Sequence, residues 1–227
     1  EVSPEVAQIK DGLVLGPRRI PTVTYPYEWP FSLLKKAAML TLDIQLEAVN
    51  AGFTLRDGTA FNVLFEGVSP IFIDFGSFDT REESRPWLGY KQYCEHFLAP
   101  LAMASWIKRP PHLFISEGLD GFPLDIASSM MPIRSWLNWG LLWHLHLHGR
   151  SIGKRSSEPG AKPTEKGVSD RGLRGLLTSL RNTIDSLRYP IEKRDWATYY
   201  SDNSYSERAM MHKEEAVESW LASSPKS

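Results

Sequence analysis

The chain has 227 residues, a formal net charge of -1, 42% apolar residues, eight Trp and a single cysteine. That length fits one or two domains with an ample core, and the balanced charge leaves no electrostatic footprint for nucleic acid or an anionic membrane. Cys94 has no partner for an internal disulfide, no apolar run approaches the length of a bilayer crossing and no signal peptide opens the chain, so a soluble cytoplasmic protein is expected.

Residues 1–31 carry two predicted strands, Gly12 to Leu15 and Thr22 to Tyr25, separated by Gly16-Pro17-Arg18-Arg19. The second runs into Tyr25-Pro26-Tyr27-Glu28-Trp29-Pro30, where two prolines are expected to hold the chain extended and forbid a helix. This stretch reads either as a hinge or as an aromatic linker packed on the next helix. Ser32 is a good cap for that helix, over Leu33 to Asn50, which is free of Pro and Gly. Its apolar residues fall on almost every face, which predicts a buried central helix.

Residues 53–78 carry the chemistry. Val63 to Phe65 and Ile71 to Ile73 are short β-branched and aromatic runs, and Glu66-Gly67-Val68-Ser69-Pro70 supplies a turn, so an antiparallel hairpin is predicted. Asp57 and Asn62 precede its first strand and Asp74 follows its second, so pairing brings all three to one end. A carboxylate and an amide oxygen are hard ligands suited to Mg²⁺, which leaves positions for water and phosphate. The other carboxylate is then free to orient or deprotonate a hydroxyl.

Beyond Asp74, Thr80 to Arg85 reads as a charged, solvated turn. Pro86-Trp87 opens a helical run through Tyr90, Tyr93, Phe97 and Leu101 to Trp106, spaced as core. Cys94 beside His96 invites a Cys/His site, but an apolar helix makes it a core residue. Leu124 to Met131 is a short predicted helix. In residues 133–148, His144, His146 and His148 would share one face of a strand and could hold zinc. The surrounding Trp and Leu favour a helix, on which only His144 and His148 align, so satisfied or solvent-facing histidines are expected. Gly149 to Lys154 has the wrong spacing for a nucleotide loop.

Residues 151–169 are polar and read as a flexible linker. Asp170 is expected to cap an amphipathic helix holding Leu173, Leu176, Leu177, Leu180, Ile184 and Leu187. A last helix runs from about Glu207 to Leu221, and Ala222 to Ser227 reads as an unfolded end.

Arg56-Asp57, then Asn62, then Asp74-Phe75-Gly76 resemble the phosphoryl-transfer pattern of the kinase-like superfamily, closer to its aminoglycoside phosphotransferase branch. The resemblance implies an α+β, mostly α fold: a large lobe over 32–150 with a hairpin site, and over 1–31 a small-lobe remnant and hinge. It implies Asp57 as catalytic base or hydroxyl orienter, Asn62 and Asp74 as Mg ligands, and Tyr25 and Tyr27 on the adenine of ATP. Leu55 stands where most kinases have His, and Thr59 where protein kinases have Lys. No Gly-rich phosphate loop and no strand lysine precede the hinge, so most of a small lobe is absent from the chain.

The hinge, Leu55 to Asn62 and the late Tyr200-Ser201-Asp202-Asn203-Ser204-Tyr205 together resemble the front region of a bacterial family of class I S-adenosylmethionine-dependent methyltransferases. In that comparison 170–227 is a helical extension leading to a methyltransferase domain that these residues do not include, and any S-adenosylmethionine would bind there. The first residue, Glu rather than Met, also fits a processed or partial chain. The resemblance leaves two roles open, a phosphotransferase acting on an unidentified small-molecule or protein substrate, or a catalytically silent domain serving a partner methyltransferase domain.

Overall fold

The computed structural model describes residues 5–9, 12–16, 19–82, 85–115, 120–149, 168–190 and 204–223, with backbone alone before residue 19. The described part is α+β and mostly helical, with three small antiparallel sheets. Two compact units divide after Tyr189.

In the first unit, β1 (Glu5–Ile9) pairs antiparallel with β2 (Gly12–Gly16), with Ile9 opposite Gly12. β2 is the predicted Gly12 strand, whereas Thr22 to Tyr25 forms no strand. Pro21 and Pro26 bracket that segment and each lacks an N–H for a ladder, and the Thr24 hydroxyl instead accepts the Trp29 indole N–H at 2.9 Å. The expected extended hinge is also corrected, because Pro26–Glu28 forms a single 3₁₀ turn. Proline is at home in a first helical position, where its missing N–H would have had no partner.

α1 (Phe31–Asn50) is the central helix, entered through Pro30 rather than capped by Ser32, which lies inside its first turn. Leu34, Ala37, Ala38 and Leu42 are fully buried, as its all-round apolar pattern requires. Gly52, at φ +81°, turns the chain out of α1 into β3 (Phe53–Leu55). β4 (Val63–Glu66) and β5 (Ser69–Phe72) form the hairpin, with Val63 opposite Phe72. Its turn is tighter than the five residues expected, with positive φ at Gly67 alone, as a two-residue turn with glycine first demands. β6 (Phe78–Thr80) returns to pair with β3.

The helical run after Trp87 begins at Tyr90, not at Pro86, and consists of α2 (Tyr90–Tyr93), a π-helical turn (Cys94–Leu98) and α3 (Ala99–Ile107). Pro100 accounts for the break: it cannot donate to the carbonyl four residues back, and a widened turn absorbs the loss. α4 (His112–Ile115) and α5 (Leu124–Met130) follow. A 3₁₀ segment (Ile133–Leu137), α6 (Trp139–Leu141) and a second π-helical turn (Leu142–Leu147) complete this half.

α7 (Asp170–Ser186) is capped by Ser169, whose Oγ accepts the Gly172 N–H at 3.2 Å, so Asp170 is the first helical residue and not the cap. Leu173, Leu177, Leu180 and Ile184 are buried in the same core as α1. Arg181 pairs with Asp43 of α1 at 2.6 Å, and Lys35 donates to the Asp185 carbonyl at 2.6 Å. The boundary expected at 151–169 therefore does not separate α7 from the large unit. Residues 150–167 themselves lie outside the described part, and the linker expected there with them.

The second unit, Pro190–Ser227, contributes α8 (Glu207–Ser223), which buries none of its residues. α8 runs two residues past the expected Leu221, and 200–203 of the Asn-Ser-Tyr segment lie outside the described residues. Among the described residues, no helix is long and apolar enough to cross a membrane.

Candidate functional site

Two short ladders close a ring. β3 pairs with β6 at Leu55 opposite Phe78, and β4 pairs with β5 at Val63 opposite Phe72, so residues 56–62 and 73–77 must run side by side between them. Hydrogen bonds cross the gap throughout: Arg56 N–H to the Ser77 carbonyl at 2.8 Å, Asp57 N–H to Ser77 Oγ at 3.1 Å, and Ile73 N–H to the Asn62 carbonyl at 2.9 Å. The Arg56 guanidinium also donates to the Gly76 carbonyl at 2.6 Å. Asp57 thus stands on a loop tied to Ser77, and Asn62 stands beside the segment that leads from β5 to Asp74. Asp57 is exposed, while Asn62 and Asp74 are half-buried.

Helices hold this loop from below. Gln45, fully buried in α1, accepts the Leu55 N–H at 2.7 Å through Oε1 and donates to Thr54 Oγ1 at 3.0 Å. The Trp87 indole donates to the Leu55 carbonyl at 2.8 Å. Both backbone groups of Leu55 are thereby satisfied by side chains, and its own side chain is buried. Gln45 and Trp87 together hold the start of the Asp57 loop in place. Gly58 donates to Gln92 Oε1 at 2.8 Å. It also touches Gly89 so closely that a Cβ at Gly58 would lie 2.4 Å from the Gly89 carbonyl oxygen.

Thr59 accepts the Phe61 N–H at 3.3 Å and so caps the 3₁₀ turn Ala60–Asn62 that delivers Asn62. Its hydroxyl lies 3.4 Å from Nδ1 of His96. His96 is 4% exposed, and burial pushes its pKa down to about 4, with Asp120 opposing, so the ring is neutral near pH 7.

Asp74 uses Oδ1 to accept the Gly76 N–H at 3.0 Å, which turns the chain into Phe75–Ser77 and leaves Oδ2 for another partner. Asn62 has its Nδ2 buried with no hydrogen-bond partner. Such a defect costs about 1–3 kcal/mol, and an amide free of partners can present its oxygen in the same place. An amide oxygen and a carboxylate oxygen are the donor chemistry Mg²⁺ takes, so the residues present fit a small hard cation. Among the described residues no group of three or more His, Cys, Asp or Glu could hold a metal ion, so any site here is a sparse one completed by water or phosphate.

Tyr25 and Tyr27 are both exposed, and their rings stack at 5.4 Å with 13° between planes. The Tyr25 N–H is already taken by Glu28 Oε2 at 2.7 Å, so these residues offer a planar ligand their faces rather than that backbone donor. Trp29 packs edge-on against Phe65 of β4 at 4.9 Å, which ties the segment to the hairpin.

The histidines of 133–148 are structural, as expected from their setting. His144 lies between the Tyr90 hydroxyl at 2.7 Å and Ser179 Oγ at 3.0 Å. His146 lies between Ser128 and Ser135, each at 2.8 Å, and stacks on Trp136. His148 packs against Tyr90. Cys94 is fully buried, and burial pushes its thiol well up, which removes it from nucleophilic chemistry.

Sequence reasoning missed Gln45, Ser77, Trp87 and Gln92. Only Gln45 left a signal, as a polar residue amid the apolar positions of a buried helix, where a partner is required.

No family model matches the chain, and no solved structure matches it significantly. The chain is similar to "Nodulation protein NoeA" of Rhizobium meliloti (strain 1021), with 33% identity over 205 residues. The match covers 88% of this chain and 43% of that protein, so the chain spans less than half the length of the curated relative.

Proposed function

We propose that the first unit is a protein-kinase-like large lobe with its hinge, carrying an ATP- and Mg-dependent phosphotransferase site. The observation that supports this most is the closed ring of residues 55–63 and 72–78. It ties Asp57 to Ser77 and Asn62 to Ile73 through the 3.1 Å and 2.9 Å bonds, in the order that phosphoryl transfer uses. Asp57, exposed on a loop held at both ends, would accept the proton of an acceptor hydroxyl or orient it. Asn62 and Asp74 would hold Mg²⁺, which when bound supplies charge neutralisation on the phosphates. The stacked tyrosines would take the adenine.

A second role is favoured by Thr59. Capping a turn, it brings no positive charge to the transferred phosphate, and its partner His96 is neutral. On this account the domain is catalytically silent and binds a substrate or partner domain for an attached methyltransferase. The share of NoeA that the chain spans suits a part of a longer protein, and any tie to nodulation would belong to the whole.

Melting with ATP and Mg²⁺ separates the two. A nucleotide site adds about 2.7 kcal/mol of stability at 100 times the dissociation constant, and Asp74→Asn removes the gain. No shift in a chain with a restored small lobe sinks the phosphotransferase. A silent domain predicts that Asp74→Ala leaves methyl transfer intact in a longer protein carrying the methyltransferase domain.

A further inference from the structure

A shallow groove, wide open to solvent and of about 800 Å³, runs between Leu137–Gly140 and the outer face of α7, sharing no residue with the Asp57 loop. In a chain with 23% charged residues, none of the described residues lining the groove is charged. Its polar lining is Asn138, Thr178, Ser179, Asn182, Thr183 and Ser186, a set of hydroxyls and amides that both donate and accept. The side chains of Thr178 and Asn182 make no hydrogen bond to the described residues. Asn138 uses only its oxygen, on the Leu141 N–H, which leaves its amide donors unused. Ser179 Oγ is held by His144, itself bonded to Tyr90, so that hydroxyl is presented in a fixed place.

Two further features stand on the same groove. Trp139 is 73% exposed, an indole with no ring partner among the described residues. Gly175 sits in the interior of α7, where glycine weakens a helix relative to alanine. Nothing in the fold requires it, since a Cβ there would meet nothing within 4 Å. A glycine with no internal reason, facing a groove, is what close approach of a ligand to the backbone requires.

We propose that this groove binds a neutral oligosaccharide, with the Trp139 ring against the C–H face of a sugar and Thr178, Ser179 and Asn182 exchanging hydrogen bonds with its hydroxyls. The absence of a lining cation among the described residues disfavours phosphates and carboxylates, and a groove this polar disfavours a lipid chain. A sugar ring matches both halves of the lining, since it carries an apolar face and an equatorial belt of groups that donate and accept.

Calorimetric titration of the full chain with cellotetraose and with maltotetraose tests this, with an anionic uronic-acid tetrasaccharide as the control. Saturable binding of at least one neutral tetrasaccharide is expected, weakened about tenfold or more by Trp139→Ala. Gly175→Ala is expected to raise the melting temperature while weakening binding, a pairing that a purely structural role would not produce. The proposal is overturned if neither neutral sugar saturates, if the anionic one binds as tightly, or if Trp139→Ala binds unchanged. It is equally overturned if sedimentation shows self-association that Trp139→Ala abolishes and no sugar binding.

Discussion

Gln45 shows how much of the candidate site depends on a single side chain outside it. Its amide bonds Leu55 N–H and Thr54 Oγ1 at once, and Leu55 is the residue from which the Asp57 loop departs. Gln45→Leu keeps the volume and removes both bonds, which leaves the buried Leu55 N–H unpaired. A loss of about 1–3 kcal/mol is expected in urea unfolding. Amide exchange should rise across residues 54–58 ahead of the rest of the chain, and uniform exchange would show that Trp87 alone suffices. Nothing in the sequence ties Gln45 to Leu55, because side-chain reach from a helix to a following loop has no periodicity to read. The order Arg56-Asp57, Asn62, Asp74 was readable, since it depends only on spacing and on one hairpin.

At the scale of elements, the hairpin was legible from two short β-branched runs around turn residues, α1 from a long apolar stretch free of Pro and Gly, and α7 from its three-to-four spacing. β3 and β6 were not, being three residues each and made only by pairing with one another. The two π-helical turns were also hidden, and they carry buried histidines, His96 in the first and His144 and His146 in the second. Burial pushes the pKa values of His96 and His144 down to about 4 from 6.5, with His148 adding to the effect on His144. Between pH 6.5 and 4 the unfolded chain binds protons at these sites and the folded chain does not. Stability from both is therefore complete above about pH 6.5 and lost as pH falls towards 4, by about 3 kcal/mol for each. Glu95, whose carboxyl burial pushes up, works in the opposite direction. Urea midpoints at pH 7.5 and 4.5 check this, and His144→Gln should flatten the dependence. An unchanged slope in that variant would place the acid sensitivity elsewhere.

For the molecule as a whole, α7 decides where the large unit ends. Its leucines share the core of α1 although a long polar stretch of sequence precedes it, and composition alone pointed to a boundary there. A chain ending at Tyr189 is expected to unfold in one transition at the midpoint of the full chain's first unit. A chain ending at residue 150 exposes the α1 face that Leu173, Leu177, Leu180 and Ile184 cover, and should lose cooperative melting in calorimetry. Retention of a sharp transition there would make α7 an accessory.

The tip of the β4–β5 hairpin is clasped as well, since Lys36 of α1 donates to the Val68 carbonyl at 2.9 Å. With its open end stitched to the Asp57 loop and its far end latched to α1, the hairpin is held at both ends, so for it to swing as a flap those bonds would first have to break.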